Sequence, residues 1–242
     1  MRLLCLETSA RTCSVALAEG SACVWAGERR DEASFVHAEE LVPLIDRGMR
    51  EIGWQAADLA AVAVSIGPGS YTGLRIGVAT AKGLCHALGL PLVVLETPGV
   101  CVAGLELGPE ATEVVEGDVA VGVVDARRME VFAGCYRRGR EGWEQLTAPG
   151  AVVLDGEGPE AAKRFGIDLG NRTWFVGDAA MKMRAVLDGP GKRFVDRPAT
   201  AAAMVRGAHA AAVAGRFADL AYTTPDYGKT YLPGAVRNPF AT

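Results

Sequence analysis

The chain has 242 residues, of which 50% are hydrophobic and 22% charged, with a formal net charge of −4. Those values exclude a disordered, collagen-like or coiled-coil protein and leave room for one large or two small domains with real cores. The acidic balance disfavours direct binding to nucleic acid, which needs clustered Lys and Arg to neutralise phosphates. No apolar run reaches the roughly 18 residues of a membrane helix, and Glu7 ends the first one too early for an export signal.

In chain order, residues 3–6 read as a strand running into Glu7, followed by a polar turn and a second strand at 13–18. A third strand follows at 23–27, then a helix over 35–52, a buried strand at 59–65, a second helix over 72–88 and a strand at 91–95. Three strands before the first helix imply an α/β unit on a mixed sheet. The device then recurs: the apolar run 119–124 ends in Asp125, a short turn follows, and 131–136 returns as a strand. Glu7 and Asp125 are 118 residues apart, which suggests a duplication. Shorter strands at 151–154 and 173–176, an alanine-rich helix over 199–220 and a proline-bearing extended tail complete the reading.

Gly67 to Arg75 joins a buried strand to a helix, where backbone amides favour anions. It is neither a Walker loop nor a dinucleotide fingerprint, since no Lys follows Thr72 and the third glycine falls one place late. Gly73, Gly77 and Ala81 recur every four residues, so that side of the helix is nearly bare and admits a close neighbour. On the first helix, Ala38, Leu41, Val42, Leu44, Ile45, Gly48, Met49 and Ile52 fill an arc of about 180°, wider than one core requires. The surplus points to a helix-to-helix protein interface, with His37, Leu41, Leu44, Ile45, Gly48, Gly73, Leu74, Gly77 and Ala81 as candidates, the alternative being cover by the second domain or by the C-terminal helix. A charge at Leu41 or Gly77 is then expected to abolish pairing without unfolding the chain. Pro43 is expected to kink the first helix, and Arg75, Lys82 and His86 form a stripe expected to face solvent.

Catalytic signals are sparse. His37, His86 and His209 form no metal spacing, Ser9 and Ser14 lack a nucleophile elbow, and the six cysteines never approach C-x-x-C, reading as reduced thiols. No catalytic or metal-binding residue is assigned. Glu7 and Asp125 are the weak candidates for holding a magnesium nucleotide between two lobes.

These residues resemble a known family. Leu6-Glu7-Thr8-Ser9, Cys13 to Leu17, His37 to Ile45 and above all GPGSYTGLRIGVATAK at 67–82 resemble the TsaB family, also called YeaZ. Asp125-Ala126-Arg127, Glu130-Val131-Phe132, Gly177-Asp178-Ala179 and Tyr231-Leu232 continue the likeness in order. The resemblance implies two ribonuclease-H-like lobes of the actin-like ATPase (ASKHA) superfamily, with mixed sheets flanked by helices. The lobes would be residues 1–100, joined by the helix near 199–220, and residues 101–198, with a tail at 221–242. It further implies a cytoplasmic, non-catalytic subunit that binds and activates its TsaD-type paralogue in forming N6-threonylcarbamoyladenosine at position 37 of tRNAs reading codons that begin with A. A TsaE-type ATPase would complete the assembly, tRNA would be met only through the complex, and a homodimer is a corollary. The paralogue's H-x-x-x-H metal motif has no counterpart in residues 96–103, and no cofactor is expected in the isolated chain. Departures are Glu7 where the family often has Asp, no glycine near Ser9, and Pro233 where a basic residue is common. The alternative is a stand-alone enzyme of the same fold, a small-molecule kinase or a glycoprotease-like hydrolase.

Overall fold

The computed structural model describes residues 1–30, 37–154, 165 and 172–228. The expected helix start at 35 and the tail from 229, including Tyr231-Leu232 and Pro233, lie outside the described residues. The first sheet contains β1 (Arg2–Glu7), β2 (Thr12–Glu19), β3 (Ala22–Arg30), β4 (Ala61–Gly67) and β5 (Leu92–Glu96), in the order β3-β2-β1-β4-β5. Its first three strands are antiparallel neighbours, and β1, β4 and β5 run parallel. The second sheet contains β6 (Val119–Asp125), β7 (Glu130–Arg138), β8 (Trp143–Val153), β9 (Thr173–Val176) and β10 (Lys192–Val195). It repeats the plan: β6, β7 and β8 are antiparallel, and β6, β9 and β10 parallel. Glu7 ends β1 as Asp125 ends β6, so the duplication is one of topology as well as pattern.

Crossovers supply the helices. α1 (His37–Glu51) links β3 to β4, α2 (Tyr71–Leu88) links β4 to β5, and α4 (Ala180–Leu187) links β9 to β10. Between the lobes lie α3 (Thr97–Ala103) and α5 (Ala201–Val213). Strand alternation sorts the core into layers. Leu4, Leu6, Val15, Leu17, Val62 and Val64 face α1 and α2, while Leu3, Cys5, Ala16, Ala18, Ala61 and Ala63 face α3 and α5. The same central cluster takes in Ala120, Val124, Phe132, Tyr136 and Trp174 of the second sheet, whose outer face packs on α4. The lobes therefore share one core. On the first sheet it includes Ala16, Ala18, Ala61 and Ala63, matched by Ala201, Ala208, Ala211 and Ala212, so that α5 lies close to that sheet. Ser14 anchors it there, its Oγ accepting the Ala201 N–H at 2.9 Å.

Several expectations are corrected. α5 ends at Val213 rather than 220, while α1 carries Pro43 within its length, as expected. β8 begins eight residues before the expected 151, and α3 and β10 were not foreseen. All six cysteines are free. Among the described residues no helix is long and apolar enough to cross a membrane.

Candidate functional site

The two acidic hairpins sit at corresponding places in the lobes, and their surroundings differ. Glu7 is fully buried, and its Oε1 accepts the Ser9 N–H at 2.6 Å. Burial raises its carboxyl above the ordinary range, opposed by hydrogen bonds from Ser9 and Ser65. Glu7 Oε2, Thr8 Oγ1 and Ser9 Oγ are buried without a partner among the described residues. The turn is closed over by α2 and the loop before it. A Cβ at Gly73 would lie 2.0 Å from the Thr8 carbonyl oxygen, and one at Gly77 would lie 2.2 Å from Thr8 Oγ1. The Ser70 N–H donates to the Ser9 carbonyl at 2.6 Å. From the other side, the buried His37 ring hydrogen-bonds the backbone of Ala10 and Thr12, while burial lowers its pKa.

This reassigns most of the interface candidates. The bare ridge of α2 is filled by the chain's own Thr8, not by another helix. Gly48 is covered by the Trp25 ring, 2.6 Å from where its Cβ would stand. Leu41, Leu44, Leu74 and Ala81 are core residues, 0–2% exposed, and Ile45 is half-buried. A charge at Leu41 or Gly77 would therefore unfold the chain, so it cannot report on pairing. The apolar surplus exists one step round each helix. Ala38 and Val42 of α1, and Thr72, Ala79 and Gly83 of α2, are exposed, with Ile76 half-buried between them.

The polar stripe beside this face is not simply solvated. Arg75 Nε donates to the Tyr227 hydroxyl at 2.8 Å, with its guanidinium 3.9 Å from the Tyr71 ring centre. Lys82 Nζ donates to the carbonyls of Thr223 and Ala221 at 2.9 and 3.3 Å. The Asp226 N–H donates to the Ile66 carbonyl at 2.7 Å. Residues 221–227 are thus strapped along α2 and tied to the end of β4.

In the second lobe Asp125 is exposed and ion-paired with Lys182 of α4, whose Nζ also donates to the Arg128 and Glu130 carbonyls at 2.8 and 3.1 Å. Arg127 and Arg128, at φ 64° and 51°, make the left-handed turn of the hairpin. The Asp125 N–H donates to Asp178 Oδ1 at 2.9 Å. Asp178 keeps an open side to solvent but stands deep among protein atoms. That low-dielectric setting, then the charges of Asp125 and Asp196, push its pKa up to about 6. On α3 between the lobes, the Cys101 thiol is held well above its usual range by burial and by the carboxylates of Asp178 and Glu7. The two lobes thus bring acidic groups toward one helix. Asp125 and Glu7 are nevertheless an unequal pair, one neutralised by a lysine and the other sealed. Among the described residues no group of three or more His, Cys, Asp or Glu side chains is placed to hold a metal. Sequence reasoning missed Lys182 and Asp178 as partners of the second hairpin; Gly177-Asp178 opening a helix was the available signal.

Two mixed five-stranded units of identical order, each opened by an acidic hairpin and joined by helices between them, define the actin-like ATPase superfamily fold. The ADPNP-bound activator of 2-hydroxyisocaproyl-CoA dehydratase from Clostridium difficile is similar at TM-score 0.50 and 9% identity, over 89% of this chain and 97% of that one. YeaZ from Pseudomonas aeruginosa is similar at TM-score 0.78 and 21% identity, over 93% and 99%. The family model described as TsaD: tRNA N6-adenosine threonylcarbamoyltransferase matches residues 31–230, and the chain belongs to this family. Among the relatives, the tRNA threonylcarbamoyladenosine biosynthesis protein TsaB of Escherichia coli is 31% identical over 147 residues, 59% of this chain and 58% of that protein. The chain spans about half the length of the curated relatives it matches.

Proposed function

We propose that the chain is a non-catalytic subunit that binds and activates a TsaD-type paralogue in N6-threonylcarbamoyladenosine formation at position 37 of tRNAs reading codons that begin with A. The observation that carries this reading is the exposed small-residue face of Thr72, Ala79 and Gly83 on α2, around the half-buried Ile76, together with the exposed Ala38 and Val42 of α1. Such a face lets a second pair of helices approach closely and bury apolar surface. The family membership and the TsaB relatives support a TsaD-type paralogue as that partner. The sealed first hairpin supports a binding role over a stand-alone kinase or hydrolase. Thr8 and Ser9 occupy the space that a phosphate would need against the α2 N-terminus, and the Glu7 carboxylate has no path to a solvated magnesium ion. In this reading the protein is cytoplasmic, a TsaE-type ATPase joins the assembly, and tRNA is met through the complex. The same face forms a homodimer when the paralogue is absent.

Ala79→Arg, on the exposed face, is expected to abolish heterodimer formation in sedimentation while leaving the thermal midpoint unchanged. Cells depleted of the protein are expected to lose threonylcarbamoyladenosine by nucleoside mass spectrometry. Wild-type chain and Glu7→Gln should restore it, and Ala79→Arg should not. Normal levels in depleted cells would overturn the pathway assignment. Micromolar magnesium-ATP binding by the isolated chain, lost in Glu7→Gln, would favour the enzyme instead.

A further inference from the structure

The basic stripe of α2 borders the exposed face of Thr72, Ala79 and Gly83. At about 100° per residue, Arg75 and Lys82 stand about 40° and 60° round the helix from Ala79, both on the side where the strap of residues 221–227 runs. Two turns separate them, about 10 Å along the axis. Arg75 is exposed and Lys82 half-buried. A helix laid along Ala79 and Gly83 would therefore run within reach of both side chains.

Neither cation has a carboxylate partner among the described residues. Arg75 Nε donates to the Tyr227 hydroxyl at 2.8 Å, and its guanidinium lies over the Tyr71 ring, whose centre is 4.6 Å from that of Tyr227. Lys82 Nζ donates to the Ala221 and Thr223 carbonyls. Acids in this stretch of chain are turned to their own backbone instead. Asp219 Oδ1 accepts the Ala221 and Tyr222 N–H groups, and Asp226 Oδ1 accepts the Gly228 N–H. On α1, by contrast, Arg47 and Arg50 are paired with Glu51 and Asp46. Tyrosine rings, a hydroxyl and carbonyls thus hold the two cations in place and leave their charge unanswered. A guanidinium has five N–H donors, of which Nε uses one here. Fixed side chains lose little freedom on binding, and Arg beside Tyr is the pairing that interface hot spots favour. In a chain of net charge −4, this edge is prepared for negative charge from outside.

We infer that, with α2 as the docking helix proposed above, the partner's segment is an amphipathic helix with an acidic edge. Its small or apolar residues lie on Thr72, Ala79 and Gly83, and Asp or Glu side chains two turns apart meet Arg75 and Lys82. The test measures binding of the full chain to the TsaD-type paralogue by calorimetry at about 50 and about 500 mM NaCl. The wild-type dissociation constant is expected to rise about tenfold across that range. Arg75→Gln should weaken binding about tenfold at the lower salt and flatten the salt dependence, whereas Arg75→Lys, which keeps the charge, should stay within about threefold of wild type. Changing the paralogue's acidic residues singly to Asn or Gln should then find one whose loss adds nothing to that of Arg75→Gln. If Ala79→Arg abolishes binding while Arg75→Gln binds as wild type does, or while salt has no effect, the docking face stands and the acidic edge is refuted. Equal losses in Arg75→Lys and Arg75→Gln would also refute it, since shape and not charge would then be what Arg75 supplies. Normal binding by Ala79→Arg would remove the docking face itself, and the acidic edge with it.

Discussion

In the first lobe the hairpin after β1 has sunk into the core, with Glu7, Thr8 and Ser9 at 0–2% exposure, whereas in the second the corresponding turn after β6 stands in solvent with Asp125 and two arginines exposed. The helices that follow β4 and β9 account for the difference. α2 arrives with Gly73 and Gly77 where a side chain would strike Thr8, so turn and helix interlock. α4 instead sends Lys182 to grip its turn from outside by one carboxylate and two carbonyls. A duplicated topology has thus kept its geometry and exchanged its chemistry. The buried copy is a structural joint, and the exposed copy remains a surface.

The largest test of that contrast is steric. Gly73→Ala would place a methyl group against a backbone oxygen that cannot move without shifting β1, at a cost of about 3 kcal/mol in urea unfolding. Lys182→Met leaves solvent to replace most of what it removes, so its cost should be about 1 kcal/mol. If the second change proved the more damaging, the assignment of joint and surface would be reversed.

A pH experiment sharpens the same comparison. Glu7 and Asp178 both have folded-state pKa values above the unfolded ones, so the native state holds their protons more tightly. Each therefore contributes stability that is full below its unfolded pKa and is lost as pH rises through the folded value. For Asp178 the window runs from the ordinary aspartate value of 3.8 to about 6. Asp178→Asn should remove the fall across that window, and stability at neutral pH should rise by less than about 1 kcal/mol because the group is partly solvated. Glu7→Gln should flatten the pH profile in the same sense. A stability that climbs with pH over this range in the wild type, and loses that climb in the variants, would contradict both assignments.

The sheets were legible because β1 and β6 are short apolar runs closed by an acidic residue and a polar turn, and β2 and β7 return as apolar runs, a local signal. What fills the glycine ridge was not, since Thr8 lies far upstream and helical periodicity cannot say whether a helix or a turn occupies a bare face. The strap had the same difficulty: Arg75 and Tyr227 are 152 residues apart, so a basic stripe with distant partners looks like a solvated one. α3 has seven residues, too few to show a period, and β8 carries Pro149 and Gly150, which break strand alternation. Lys182 was hidden because one lysine early in a short helix says nothing about a turn in another part of the chain.

The smallest expected effect concerns two glycines on one helix. Gly77 faces Thr8, and Gly83 faces open space with nothing within 4 Å of its Cβ position. Gly83→Ala should therefore stabilise the isolated chain by about 0.5 kcal/mol, through the backbone freedom removed from the unfolded state. If α2 is the docking helix, that methyl group stands where a partner helix must approach closely. The same substitution should then weaken pairing with the TsaD-type paralogue while the monomer gains stability. Gain in one measurement with loss in the other separates a glycine kept for docking from one kept for folding. A gain in stability with unchanged pairing would move the docking face away from Gly83 and leave the interlocked hairpin as the reason for the glycines of α2.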